Sequence, residues 1–297
     1  MAPGQHKHHH LAPFLAVAAG IASFSVMDGL MKSASLAIGA YSAMVWRSLL
    51  STAVMLPLWK ARGGIWPQGE VLRLHALRGL ISAFMATLFF WGIKYLPLAE
   101  GMAISFIAPL IALYLAAVTL GEKIGVKAIL ASVLGLAGVI VIAAGRFGQG
   151  GYDEQAALGI AAILASAVLY AWNLILQRRQ ALIAGPVEVA AFQAVFTGLF
   201  LSFAAPWLLQ LPSAPALLDI AGSALLATIS LMLISWGYGR EETQVLLPLE
   251  YSAFIWAALT GWVMFDEALT LPTIAGAALI VTGCLIAARK HIEQTAL

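Results

Sequence analysis

The stretch WGIKYLPLAEGMAISFIAPLIALYLAAVTLGE, residues 91–122, is answered by WGYGREETQVLLPLEYSAFIWAALTGWVMFDE, residues 236–267. Trp91-Gly92 falls on Trp236-Gly237, and Glu122 on Glu267, at a single offset (236 − 91 = 267 − 122 = 145) with no gap between. Each copy is a hydrophobic helix that closes on a glutamate, Leu120-Gly121-Glu122 and Phe265-Asp266-Glu267. A second apolar helix follows, with a glycine at matching places, Gly138 and Gly283. An unbroken register across two helices in halves of equal length marks an internal repeat, 1–148 and 149–297. Doubled membrane proteins are commonly transporters.

The composition around this repeat is that of an integral membrane protein. Hydrophobic residues make up 62% of the 297 and charged residues only 10%, with a mean hydropathy of +0.92; soluble domains carry roughly 25% charge. The polar connections around Lys60 to Arg73 and Gly145 to Gln155 are too short for a soluble domain. The single cysteine, Cys284, excludes a disulfide and any cysteine-based metal site. His6, His8, His9 and His10 flank Lys7 ahead of the first apolar run; they read as a solvated tail, with a metal site the sharper alternative. No small-residue cleavage site follows, so no removable signal peptide is expected.

About 20 apolar residues cross a hydrocarbon core, and windows of that length recur here. Ten spanning segments are expected, at 11–31, 39–59, 74–93, 97–119, 125–144, 157–177, 188–209, 217–238, 244–264 and 271–288, giving an all-α architecture. With the amino terminus inside, the inner connections hold Lys7, Lys60, Arg62, Arg73, Arg78, Lys123, Lys127, Arg178, Arg179, Arg240, Arg289 and Lys290. The outer ones hold Lys32, Lys94 and Arg146. Twelve against three places both termini in the cytoplasm, as expected for a multi-pass protein of the plasma (inner) membrane. Five segments per half is an odd number, so the second half enters from the opposite side. The two repeats are therefore expected to be inverted around a central cavity, the symmetry that alternating access requires.

Ionisable groups within a span are expensive unless paired or wet, and so are functional candidates. Asp28 lies about 25 Å along the first segment, near the outer face, four residues before Lys32. It reads either as an i, i+4 interfacial ion pair or as a gate or charge for a substrate ammonium. Arg47, roughly 12 Å into the second segment, reads as the structural or gating partner of Asp28 or as a clamp for a carboxylate. Glu250 lies about 10 Å into the ninth segment, between Pro248 and Tyr251. Pro248 frees the carbonyl of Gln244 and Pro109 that of Ser105, so these helix breaks point to a cavity, or else serve packing alone. Glu122 and Glu267 read as interfacial carboxylates that cap the helix following each.

Phe24, Phe84, Trp91, Tyr170, Trp236, Tyr251 and Phe254 are aromatic candidates for stacking on a solute, with packing or lipid contact as the plainer role. Ser82, Ser105, Asn173, Gln177, Gln193 and Ser230 are polar candidates whose plainer role is hydrogen bonding between helices. Gly135, Gly138, Gly276 and Gly283 suit close helix packing, within the monomer or in a homodimer.

Pro248-Leu249-Glu250-Tyr251, the long apolar helix after it, Phe265-Asp266-Glu267 and the glycine-punctuated last helix resemble an EamA domain of the drug/metabolite transporter superfamily. Ser105 to Pro109, Gly121-Glu122, and Gly135 with Gly138 resemble the same pattern in the first half. The resemblance covers nearly the whole chain and rests on order and spacing. It implies a metabolite exporter whose cavity is lined by segments 1, 3, 4, 6, 8 and 9, with segments 5 and 10 peripheral. Within the superfamily the likeness is to the YddG-type exporters of aromatic and other neutral amino acids.

The expected function is secondary export of small amphipathic metabolites, above all neutral or aromatic amino acids. Carriage of drugs, nucleotide sugars or other metabolites is the alternative. No cofactor and no nucleic-acid partner is expected. The sequence lacks GxxxxGK[ST], HExxH and a nucleophile elbow, so ATP hydrolysis and membrane-embedded catalysis find no motif; a channel or receptor is a weaker reading.

Overall fold

A computed structural model describes residues 11–108, 110–112, 114–115, 126–148, 154–181, 183–238, 249 and 252–295, and no strand occurs among them. The helices are α1 Leu11–Ile38, α2 Ala40–Ala61, α3 Gly69–Gly92, α4 Leu98–Ser105, α5 Val126–Gly148 and α6 Glu154–Ala181. They continue with α7 Pro186–Ser202, α8 Ala205–Leu208, α9 Ala214–Tyr238, α10 Ala253–Phe265 and α11 Leu271–Thr295. Four stretches, Ala12–Ile38, Gly69–Gly92, Glu154–Gln177 and Ala214–Ile234, are long and apolar enough to cross a membrane, and five further apolar helices are shorter.

The boundaries follow local chemistry. α1 runs to Ile38, beyond the expected 31, because its polar end is supported: Ser33 Oγ donates to Asp219 Oδ2 of α9 at 2.6 Å. The chain then turns into α2 through Gly39 alone, at φ +80°, with nothing within 4 Å of the position a Cβ would take. Only glycine adopts that backbone without strain. The expected segment 188–209 divides instead into α7 and the short α8, which starts where Pro206 suits a first turn. α4 ends at Ser105, where the amides of Phe106 and Ile107 reach back three residues to Ala103 and Ile104. That irregularity lies where the sequence anticipated a break; Pro109 itself is outside the described residues.

Packing joins the two halves. α1 lies on α9, α3 on α6, α2 on α7, α5 on α11 and α4 on α10, each pair taking one helix from either half. The pairs run antiparallel. Gly20 meets Ile234 while Gly222 meets Leu30, and Gly138 meets Gly276 while Gly145 meets Pro272. The repeated Trp-Gly dipeptide now has a reason. A Cβ at Gly92 would lie 2.8 Å from the carbonyl oxygen of Gly159 on α6, and one at Gly237 would lie 3.1 Å from that of Pro13 on α1. Both repeats keep glycine where two backbones nearly touch.

Candidate functional site

Polar groups collect at three levels. At one end, Lys32 of α1 pairs with Glu267, just past α10, donates to the Leu96 carbonyl at 2.6 Å and lies 5.0 Å from the centre of the Phe265 ring. Glu267 is held there by the end of α10. Asp266 adopts a left-handed backbone (φ 55°), while the Asp266 and Glu267 amides return to Trp262 and Gly261, an αL closure of the helix. The second carboxylate oxygen accepts the Leu98 amide at 2.7 Å. Glu267 thus caps α4, a helix of the other half, and this corrects the expectation that it caps the helix following its own. Lys32, expected in an outer loop or paired with Asp28, is 4% exposed, and its ammonium joins α1, the loop before α4 and the α10 terminus.

Asp28 marks the second level. Ten residues of α1 lie beyond it, about 15 Å of helix, so it is interior rather than near the outer face, and it is 7% exposed. Arg47 of α2 lies within its electrostatic reach. The guanidinium nonetheless turns to Met27 Sδ at 3.3 Å and to the face of Phe90 at 5.6 Å, and no ion pair closes between Asp28 and Arg47. Phe24 and Phe254 are half-buried against the main core beside this level.

The third level is a chain of side chains across α3, α6 and α7. Glu188 Oε1 lies 3.2 Å from His75 Nε2, and the Gln180 amide meets His75 Nδ1. Arg78 Nη1 donates to Gln180 Oε1 and its Nε to Asn173 Oδ1 at 3.1 Å, while Asn173 donates to Ser82 Oγ at 2.6 Å. Gln180 spends its carbonyl on Arg78, so its NH₂ faces His75 Nδ1. That nitrogen therefore accepts, and Nε2 carries the proton toward Glu188.

α6 presents two exposed sides. Leu158, Ala161, Ala165, Val168 and Trp172 form one exposed apolar stripe at helical spacing. Tyr170 and Gln177 are exposed too, about 150° round the helix from that stripe. Their side of α6 meets α3 where Gly159 and Ile163 contact Gly92, and Ser166 donates to the Met85 carbonyl at 2.8 Å.

Of the expected site residues, Asp28, Ser82 and Asn173 lie in these clusters, and Tyr170 is exposed on α6. Ser105 spends its hydroxyl on the Gly101 carbonyl at 2.9 Å, within its own helix. Trp236 belongs with Leu218, Leu225, Ile229 and Met232 to an exposed stripe of α9, and Phe84, 61% exposed, also faces outward. Neither joins the three polar clusters described above. Pro109, Glu122, Pro248, Glu250, Tyr251 and the histidines of the amino-terminal tail lie outside the described residues. Arg78, Gln180, His75 and Glu188 escaped the reading as a site. Arg78 had been taken for an inner-loop charge, yet His75, Arg78 and Ser82 stand at i, i+3 and i+7, as Asn173 and Gln180 do at i and i+7, a polar stripe legible in advance.

Comparison with known proteins accords with this architecture. The model of the EamA-like transporter family matches residues 11–144 and again 157–289. The chain belongs to that family, and is a membrane-embedded transporter of small molecules. It is 26% identical over 278 residues to a pseudopaline exporter of Pseudomonas aeruginosa, spanning 90% of this chain and 92% of the relative. It is 22% identical over 267 residues to an S-adenosylmethionine uptake transporter of Rickettsia bellii, spanning 89% of each. A solved crystal structure superimposes with a TM-score of 0.62 at 23% identity, over 94% of this chain and 96% of that one, and shares the fold.

Proposed function

We propose that the chain is a secondary carrier of small amphipathic, amino-acid-like solutes, neutral and aromatic amino acids foremost, working by alternating access of two inverted five-helix repeats, 1–148 and 149–297. The observation that carries the solute class is Asp28 with Arg47. Two opposite charges share the interior of α1 and α2 without closing on one another, which suits a zwitterion whose ammonium meets the carboxylate and whose carboxylate meets the guanidinium.

Inversion is supported by the way packing exchanges under the 145-residue offset: α1 on α9 becomes α6 on α3, while α2–α7 and α5–α11 map onto themselves. Both termini are assigned to the cytoplasm. Without the buried Lys32 and Arg78, the inner and outer connections still divide the basic residues eleven against two (12 − 1 and 3 − 1). On this reading the cluster of Lys32 and Glu267 lies toward the outside and that of His75 and Arg78 toward the cytoplasm, with export the working direction.

Carriage of another metabolite class is the second reading, favoured by the different solutes for which the relatives are named. Counterflow in proteoliposomes, with amino acids, cationic drugs and nucleotide sugars as the panel, separates the two. Rapid exchange of labelled phenylalanine supports the first, and flux of another class without amino-acid flux sinks it.

A further inference from the structure

We propose that Arg78 is an anion-binding residue of the transport pathway, taking the carboxylate of the solute. The proposal rests on the carrier reading above and assigns to the pathway a residue outside the Asp28–Arg47 pair.

Arg78 is 8% exposed on the inward side of α3. Its described partners are neutral: the Asn173 and Gln180 carbonyl oxygens. No carboxylate among the described residues forms an ion pair with it. The acid nearest in the chain of contacts, Glu188, lies beyond His75 and is spent on it. A guanidinium presents five N–H donors, of which two are engaged here. An uncompensated cation at membrane depth costs several kcal/mol, and amide dipoles offset that only in part. An arriving anion supplies the missing countercharge and accepts donors already aimed.

The surroundings determine which way it arrives. Asn173 is itself fixed by Ser82, and Gln180 by His75, so the two carbonyls hold the guanidinium plane at two edges. Phe192 stacks on His75 with ring centres 5.0 Å apart and closes the α7 side. Tyr170 lies within electrostatic reach of Arg78 on the exposed inner side of α6, next to Gln177. A carboxylate passing Tyr170 therefore meets Arg78 before it reaches Asp28. A merely structural cross-brace between α3 and α6 needs only a neutral donor; a permanent cation with no acidic partner among the described residues is the arrangement of a site for a charged ligand.

The test is ligand-dependent thermal stabilisation of the purified full chain in detergent, with L-phenylalanine, 3-phenylpropionate, phenylalaninamide and phenethylamine as probes. Wild-type protein is expected to be stabilised by the two carboxylates. In Arg78→Gln their apparent affinity falls about tenfold or more, and Arg78→Lys recovers part of it. Unchanged carboxylate binding in Arg78→Gln, or absence of carboxylate stabilisation in the wild type, overturns the assignment. If Arg78→Gln does not fold, Arg78→Lys is read alone: a fall in apparent affinity for 3-phenylpropionate supports the assignment, and unchanged affinity overturns it. Counterflow keeps this distinct from the carrier reading: equal flux of phenylalanine and its amide through wild-type protein leaves the carrier standing and removes Arg78 from it.

Discussion

Lys32 and Glu267 meet across the two halves, and the same glutamate accepts the first amide of α4 at 2.7 Å. One carboxylate thus holds together α1, the start of α4 and the end of α10. Removing one partner of a buried pair leaves the other charge uncompensated, at about 3–5 kcal/mol. Lys32→Met and Glu267→Gln are each expected to lower the thermal unfolding midpoint strongly. The double variant should recover much of the loss, and a double-mutant cycle on these midpoints measures the coupling. Additive losses would show that the two act independently.

Asp266 is a non-glycine residue at φ 55° in the closure of α10; the repeat-related position in the first half is Gly121. Asp266→Gly should therefore stabilise the protein by roughly 0.5–1 kcal/mol through relief of left-handed backbone strain. The readout is an upward shift in unfolding temperature with transport unchanged. The converse holds at the α1–α2 turn, where Gly39→Ala should destabilise by about 1 kcal/mol although open space surrounds the position.

Gly138 and Gly276 bring α5 and α11 together, and a Cβ on either would lie 2.5 Å from the other's carbonyl oxygen. Gly138→Ala or Gly276→Ala should cost about 1–3 kcal/mol, because a backbone oxygen cannot rotate away as a side chain can. Gly222→Ala is the control: its added methyl meets only the tip of Leu30, at 3.0 Å. Comparable losses at all three positions would refute the distinction.

Asp28 and Arg47 are expected to be required for flux as separate groups. Asp28→Asn and Arg47→Gln should each reduce initial counterflow roughly tenfold or more, the loss of one charged hydrogen bond to solute. The exchange Asp28→Arg with Arg47→Asp should not restore it. Recovery in the exchanged protein would make the two a structural pair.

Fold class was legible because its signals are local or periodic. Apolar windows fall on helices where the residues are described, the matched Gly92 and Gly237 fall on crossings, and the double match of residues 11–144 and 157–289 follows the same repetition. Misreadings came where a side chain's partner lies far away in sequence. Lys32 looks like an outer charge until Glu267 approaches from 235 positions along the chain. Arg78 looks like an inner one until Asn173 and Gln180 of α6 close on it.

By itself the sequence determined that this is a doubled, all-helical membrane protein, because hydropathy and the 145-residue echo depend only on the order of residues. Tertiary structure decided the rest. Glu267 caps a helix of the other half, Trp236 is exposed while Asn173 is buried, and α3 and α6 touch at Gly92 and are tied by Asn173 to Ser82. The physical reason is that lipid imposes the same apolar requirement on every span, whereas the partner of a buried charge is chosen by which helices pack side by side. That choice is made by small residues and hydrogen bonds between helices.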